Sequence, residues 1–351
     1  MSESLSDPDD AVTPEDEFLE AIASEGYAVS ATPLHERPQG PRRLRVAGAL
    51  AVVAGVLAAV QGRANGGLSV AVGDPFLAAA ISLGTGLLVL VVVVGLRPST
   101  RDGLVRRLPR ALRTGSLAWW QLLGGLSGAF FLATQSATVP DLGVALFTVL
   151  VVAGTTGSSL AFDAWGLGPG GRRPVTRPRV VGAVGTTIAV VIAVSGRYSA
   201  GSLALAAVLL SVTAGALSTF QQAINGQVAT KTGDALVATF VNFLVAFSVI
   251  IVIIGVRHLA LGETAVAPPA LWSQPLLWTG GVLGIGFILL SASVVGPLGV
   301  LLYSLLAVGG QLVGSLLLDV VVPTPGTQVG WQLVLGVALT GLAVGYAAVR
   351  R

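Results

Sequence analysis

The stretch Gln61-Gly62-Arg63-Ala64-Asn65-Gly66 returns at an offset of 160 positions as Gln221-Gln222-Ala223-Ile224-Asn225-Gly226. Both copies continue without a gap to a Gly-Asp pair, Gly73-Asp74 and Gly233-Asp234. A second block repeats at an offset of 156, where residues 124–163 and 280–319 align ungapped with 15 identities in 40 positions. Among these are Gly124, Gly125 and Gly128 against Gly280, Gly281 and Gly284, Gly143 against Gly299, and Asp163 against Asp319. Gly and Val are abundant enough here to coincide by chance, but Gln, Asn and Asp are scarce, so their matches mark a duplicated unit.

Composition decides where that unit lives. The chain has 351 residues, 53% hydrophobic and only 11% charged, with a mean hydropathy of +0.83. Soluble domains carry about 25% charged residues, so most of this surface must face lipid. Of the 17 acidic residues, all but Asp74, Asp102, Asp141, Asp163, Asp234, Glu263 and Asp319 precede position 41. The net charge of +3 is therefore an acidic tail on a basic body. Its Arg residues sit in short connections between apolar runs, which is a membrane pattern and not the basic face of a nucleic-acid binder.

A crossing helix needs about 20 apolar residues. Ten such runs occur, near 45–70, 76–96, 117–138, 143–163, 180–197, 202–229, 235–256, 277–294, 298–320 and 331–349. Tight turns are expected at Val139-Pro140-Asp141 and Val295-Gly296-Pro297. Trp119, Trp120, Trp165, Trp278 and Trp331 fall at span ends, where amphipathic rings meet the headgroups. The clusters at Arg42–Arg45, Arg97–Arg113, Arg172–Arg179 and Arg350–Arg351 all lie on one side if both termini are cytoplasmic; Arg257 fits that rule poorly. The expected fold is thus an all-α polytopic membrane protein of about ten transmembrane helices. Residues 1–43 form an acidic, mostly disordered cytoplasmic tail, in which Thr13 could cap a short helix. Residues 44–200 form a first five-helix repeat and 201–351 a second. Five is odd, so the second repeat enters the bilayer from the opposite side, the arrangement found in secondary transporters.

On Gln61, Asn65, Gln221, Asn225, the two Gly-Asp pairs and Gly310-Gln311 with Asp319, the chain resembles the drug/metabolite transporter superfamily, in its bacterial YdcZ-type, EamA-like branch of paired five-helix repeats. The resemblance covers about residues 44–350. It implies a secondary transporter of a small metabolite or drug-like solute in the bacterial inner membrane, working by alternating access as a monomer or homodimer. The first repeat departs from the family's Gly-Gln pattern, having Gly154-Thr155 where the second has Gly310-Gln311. Small multidrug exporters of the superfamily use a buried Glu in the first helix; no span here contains Glu.

Polar side chains within spans are costly unless paired or facing a cavity. Gln61 and Asn65 lie four apart on one helix face, and Gln221 and Asn225 repeat the pair. They are candidate substrate contacts, with Gln311 and Asn242 added; the alternative is that the amides hold helices together. Asp74 and Asp234 are either proton or cation sites or helix caps; each follows a Gly, which suits capping. Asp163 and Asp319 end their spans, where a carboxylate opposes the helix dipole. Either each pairs with a nearby Arg, such as Arg172, or it binds a coupling cation. Arg63 either draws an anionic solute or extends its head to the interface. There is no Cys, and His35 and His258 lack ligand-like neighbours, so no catalytic residue, metal site or cofactor is expected. A non-transporting scaffold acting through the acidic tail is the alternative function.

Overall fold

The computed structural model describes residues 41–166, 175–195, 202–262, 270, 273–323 and 329–349. The acidic tail with Thr13 and His35, Arg172 and Arg173, Glu263, Trp272, Arg350 and Arg351 lie outside the described residues, and so does the side chain of Asp163. Among the described residues nine long helices carry the chain. These are α1 Pro41–Val72, α2 Pro75–Leu96, α3 Gly124–Leu142, α4 Val144–Trp165, α5 Arg177–Ser195, α6 Ser202–Thr232, α7 Ala235–Leu261, α8 Gly280–Val321 and α9 Trp331–Val349. Among the described residues seven helices are long and apolar enough to cross a membrane, and three shorter apolar stretches, Pro275–Phe287, Leu306–Val321 and Trp331–Tyr346, overlap the other three runs of the sequence. Residues Arg45–Arg351 form one compact unit.

What segregates along these helices is size more than polarity. On α1, Ala47, Ala51 and Ala54 turn inward, whereas Val46, Val52 and Val53 are exposed. Leu88, Val91, Val92, Ile188, Val191, Leu209, Val252 and Leu342 are exposed in the same way. In lipid this is the expected arrangement, because hydrocarbon solvates Leu and Val as well as a protein core does, while small residues let backbones approach. Trp119, Trp165 and Trp331 stand exposed at helix ends, as headgroup-level rings should.

Two turns were expected beside Pro140 and Pro297. In the first repeat α3 runs through Pro140 and ends at Gly143, whose φ of 77° suits a residue without a Cβ. A proline this close to a helix end removes little from the hydrogen-bond ladder. In the second repeat, helical backbone runs unbroken from Gly280 to Val321, so no gap separates the eighth and ninth runs. The chain nonetheless reverses. A Cβ built on Gly280 would fall against Asn65, one on Gly284 against Gln61 and one on Gly286 against Leu57, which is antiparallel to α1. Further on, Gly310 lies against Val52 and Gly314 against Val56 and Ala59, which is parallel to α1. A straight helix between Gly284 and Gly314 would separate them by about 45 Å, yet both touch the middle of α1. The helix therefore bends back within the stretch that contains Gly296-Pro297.

The repeats interlock. Gly125 of α3 lies against the backbone of Asn242 and Ala246 on α7, and Gly281 of α8 lies against the backbone of Ser82 and Gly86 on α2. Gly215 of α6 abuts Val151 on α4, and Gly55 of α1 abuts Ala307 and Gln311 on α8. Each contact is the 160/156-offset image of the other. The third and fourth helices of each repeat thus pack on the first two helices of the opposite one.

The segment between α2 and α3 departs from the expected basic loop. It is helical over Pro98–Asp102, Gly103–Arg107 and Leu108–Arg113. Leu108, Ala111 and Leu117 are buried with Val228, Val237 and Ala238 of α6 and α7, while Arg106 and Arg110 stay exposed. The apolar spacing of 104, 108, 111 and 112 is helical, a signal overshadowed by the six Arg residues.

Because the fit at Gly281 is backbone on backbone, Gly281→Val should cost about 1–3 kcal/mol of stability by overpacking. Gly95, whose built Cβ meets nothing within 4 Å, should accept Val with little change. Thermal unfolding of the two purified variants in detergent checks this; equal midpoints would refute the interlocking contact.

Candidate functional site

Each repeat turns from its first to its second helix in one way. Gly73 and Gly233 take φ of 67° and 68°, and the following Asp is extended and caps the next helix. Asp74 accepts from the Phe76 N–H at 2.7 Å and Asp234 from the Leu236 N–H at 2.8 Å. Each cap has a partner from the opposite repeat. Asp74 also pairs with Arg257 at 2.9 Å, whose guanidinium lies 5.0 Å from the Phe76 ring centroid, and Asp234 accepts from Thr100 at 2.6 Å. Arg257, the poor fit to the charge rule, is thus neutralised by Asp74 at its own end of the bundle.

Between these two turns lies a cavity of about 470 Å³. It is lined by Gln221 and Asn225 of α6, Ala238, Thr239 and Asn242 of α7, Gly128 and Phe131 of α3, and Gln61 and Gly284 from the opposite side. At the Asp234 end it reaches exposed surface at Ala235. Four of the sequence candidates meet here. Gln221 Nε2 donates to Asn242 Oδ1 at 2.9 Å, and Asn225 Nδ2 donates to the same oxygen at 3.2 Å. The amides of the second repeat both tie α6 to α7 and present polar atoms to the cavity, so lining and helix-joining are not exclusive.

Gln61, the match of Gln221, lines the same cavity, but the other matching positions of the first repeat are more closed. Asn65 is 0% exposed, and its Nδ2 donates to Gln135 Oε1 at 2.7 Å. Ser82 is 1% exposed where Asn242 is 8%, and Ala78 and Ala79 are 0% exposed where Ala238 and Thr239 are 5% and 7%. Asn65 Oδ1 and Ser82 Oγ have no hydrogen-bond partner, and Gly280 presses on both. Gln135 was missed in the sequence, although a mid-span Gln is a signal in itself.

The remaining candidates stand away from the cavity. Gln311 lies beside Gly55, outside the cavity lining. Arg63 Nε donates to the Val322 carbonyl at 3.2 Å, at the C-terminal end of α8, where a cation meets the negative pole of the helix. Asp319 is 1% exposed and accepts from the Val144 N–H at 2.9 Å and the Ala145 N–H at 2.7 Å. Gly143, in the position to cap α4, has no side chain, so a carboxylate from the other repeat performs the capping. The charge that opposes the dipole of its own helix stabilises the start of another.

A family model described as "Putative inner membrane exporter, YdcZ" matches residues 46–192 and again 206–346. No curated protein matches. Four chains of solved structure match. One of them, described as "Crystal structure of protein", is 20% identical to this chain, covers 88% of it and 99% of itself, and superposes with a TM-score of 0.55. At that identity the likeness shows the fold alone.

If Asp319 serves as a cap, Asp319→Ala should lose about 1–3 kcal/mol, because two buried N–H groups are left unsatisfied. The loss should be the same in sodium, potassium and choline salts. Thermal unfolding in the three salts checks it; a wild-type midpoint that rises with sodium and a variant midpoint that does not would instead mark a cation site.

Proposed function

We propose, since this chain belongs to the YdcZ family of inner membrane exporters, that it moves a small solute across the inner membrane by alternating access, with the amide-lined cavity as its transport site. The observation that carries this reading is the unequal state of duplicated residues. Gln221, Asn225 and Asn242 line an open cavity, while Asn65 and Ser82 at the equivalent places are sealed. Two interlocked repeats of one sequence pattern can exchange these arrangements, closing one end of the bundle as the other opens. Relief of the unpartnered Asn65 Oδ1 and Ser82 Oγ favours the exchange, since buried polar atoms without partners are costly.

The cavity opens at the end bearing the helical Arg97–Arg113 segment, which the positive-inside rule assigns to the cytoplasm. The state described is then the one that loads solute from inside, as an exporter requires. Both termini are cytoplasmic on this reading.

The absence of native cysteine makes the test direct. A229C and S69C occupy equivalent positions in the two repeats; Ala229 lines the cavity and is half-buried, and Ser69 is buried. In proteoliposomes of sorted orientation, the A229C thiol should react with an impermeant maleimide only from the side bearing the basic segment. The S69C thiol should react only from the opposite side, and at least tenfold more slowly. An S69C thiol inert from both sides, beside an A229C thiol reactive from both, would describe a fixed pore and sink the proposal.

A further inference from the structure

The cavity's chemistry narrows what it can hold; the argument rests on the cavity being the transport site. Among its lining residues there is no Asp, Glu, Lys, Arg or His. Residues 288, 289 and 291–305, whose side chains are outside the described residues, include no charged residue in the sequence. Among the described residues, four carboxylates of the helical body are committed elsewhere. Asp74 is paired with Arg257, Asp102 with Arg106 and Arg107, Asp234 caps α7, and Asp319 caps α4.

What the cavity does offer is one polar pole and one apolar body. Asn242 Oδ1 is consumed by the two bonds it accepts. Asn242 Nδ2 and Gln221 Oε1 are left without a partner among the described residues, and so is the whole carboxamide of Gln61, which approaches from the other repeat. Gln221 Nε2 and Asn242 Nδ2 both border Gly128, where a side chain would have filled the space between them. Phe131, Phe243, Leu83 and Leu132 form the apolar walls. A volume of about 470 Å³ is that of a site for a drug-sized molecule.

We infer that the solute is an uncharged, drug-sized molecule with an aromatic or aliphatic body and a pole that both donates and accepts hydrogen bonds. An ion entering this space exchanges water for amides and phenyl rings with no countercharge, whereas a neutral amphiphile loses little. Discrimination arises from the missing countercharge and not from size. A single carboxylate placed at the pole should therefore invert it.

The test measures how well three aromatic probes protect the A229C thiol against N-ethylmaleimide. Chloramphenicol is neutral with amide and hydroxyl groups, ethidium is a cation, and anilinonaphthalene sulfonate is an anion. T230C, exposed on α6 and outside the cavity lining, reports any general effect of probe on labelling. Chloramphenicol should protect A229C at about tenfold lower concentration than either ion and should not protect T230C. Adding Gln221→Glu should reverse the order in favour of ethidium. Protection by an ion equal to or better than chloramphenicol, or by none of the three while A229C labels freely, overturns the neutral class but leaves the cavity as the transport site. An A229C thiol that never labels while T230C does shows the cavity to be closed, and the functional reading fails with it.

Discussion

Helices in lipid gain nothing by hiding apolar surface from one another, so their association depends on how closely their backbones can approach. In this protein four reciprocal glycine contacts provide that approach: Gly125 of α3 against α7, Gly281 of α8 against α2, Gly215 of α6 against α4, and Gly55 of α1 against α8. The other features of the bundle follow from them. They bring α3 of the first repeat beside α6 and α7 of the second, which sets Gly128 next to Gln221 and Asn242. They bring the start of α8 beside α1, which places Gln61 across the same space. The cavity belongs to neither repeat alone.

Polar groups show the same economy. Among the described residues, the span-end and turn carboxylates Asp74, Asp234 and Asp319 each meet backbone N–H groups at a helix start. A membrane offers no water to satisfy such groups, so they must be met within the protein. Asp319 serves a helix of the opposite repeat, and Arg257 serves a turn of the opposite repeat. Interlocking therefore extends beyond packing to the hydrogen bonds that terminate the helices.

Much of this was legible in the sequence, and the limits have a physical origin. The duplicated Gln-x3-Asn and Gly-Asp pairs gave the two-repeat architecture and the caps of α2 and α7, because a cap is a local device spanning three residues. Membrane runs and tryptophan ends were equally local. The trans contacts were not legible. Asp319 looked misplaced at its own helix end because its partner, Val144, is 175 positions away. Arg257 looked like an exception to the charge rule because its partner, Asp74, is 183 positions away. Helicity of the Arg97–Arg113 segment was readable in its apolar spacing, but its Arg content drew attention to charge alone. The sequence presented Gln61, Asn65, Gln221 and Asn225 as one symmetric quartet; the fold places three at the cavity and seals Asn65 against Gln135.

That last asymmetry rests on residues the duplication did not preserve. Asn65 and Asn225 are equivalent, but their surroundings are not. Asn65 finds the long amide of Gln135, whose counterpart is Ser291, while Asn225 finds the amide of Asn242, whose counterpart is the short Ser82. In the first repeat the bond runs from α1, which packs on α8, to α3, which packs on α7, and so ties those two packed groups together. In the second it stays between the neighbouring helices α6 and α7 and leaves the space beside α3 open. Symmetry in the sequence supplies two equivalent sites, and the two unmatched amides determine which is closed in the state described.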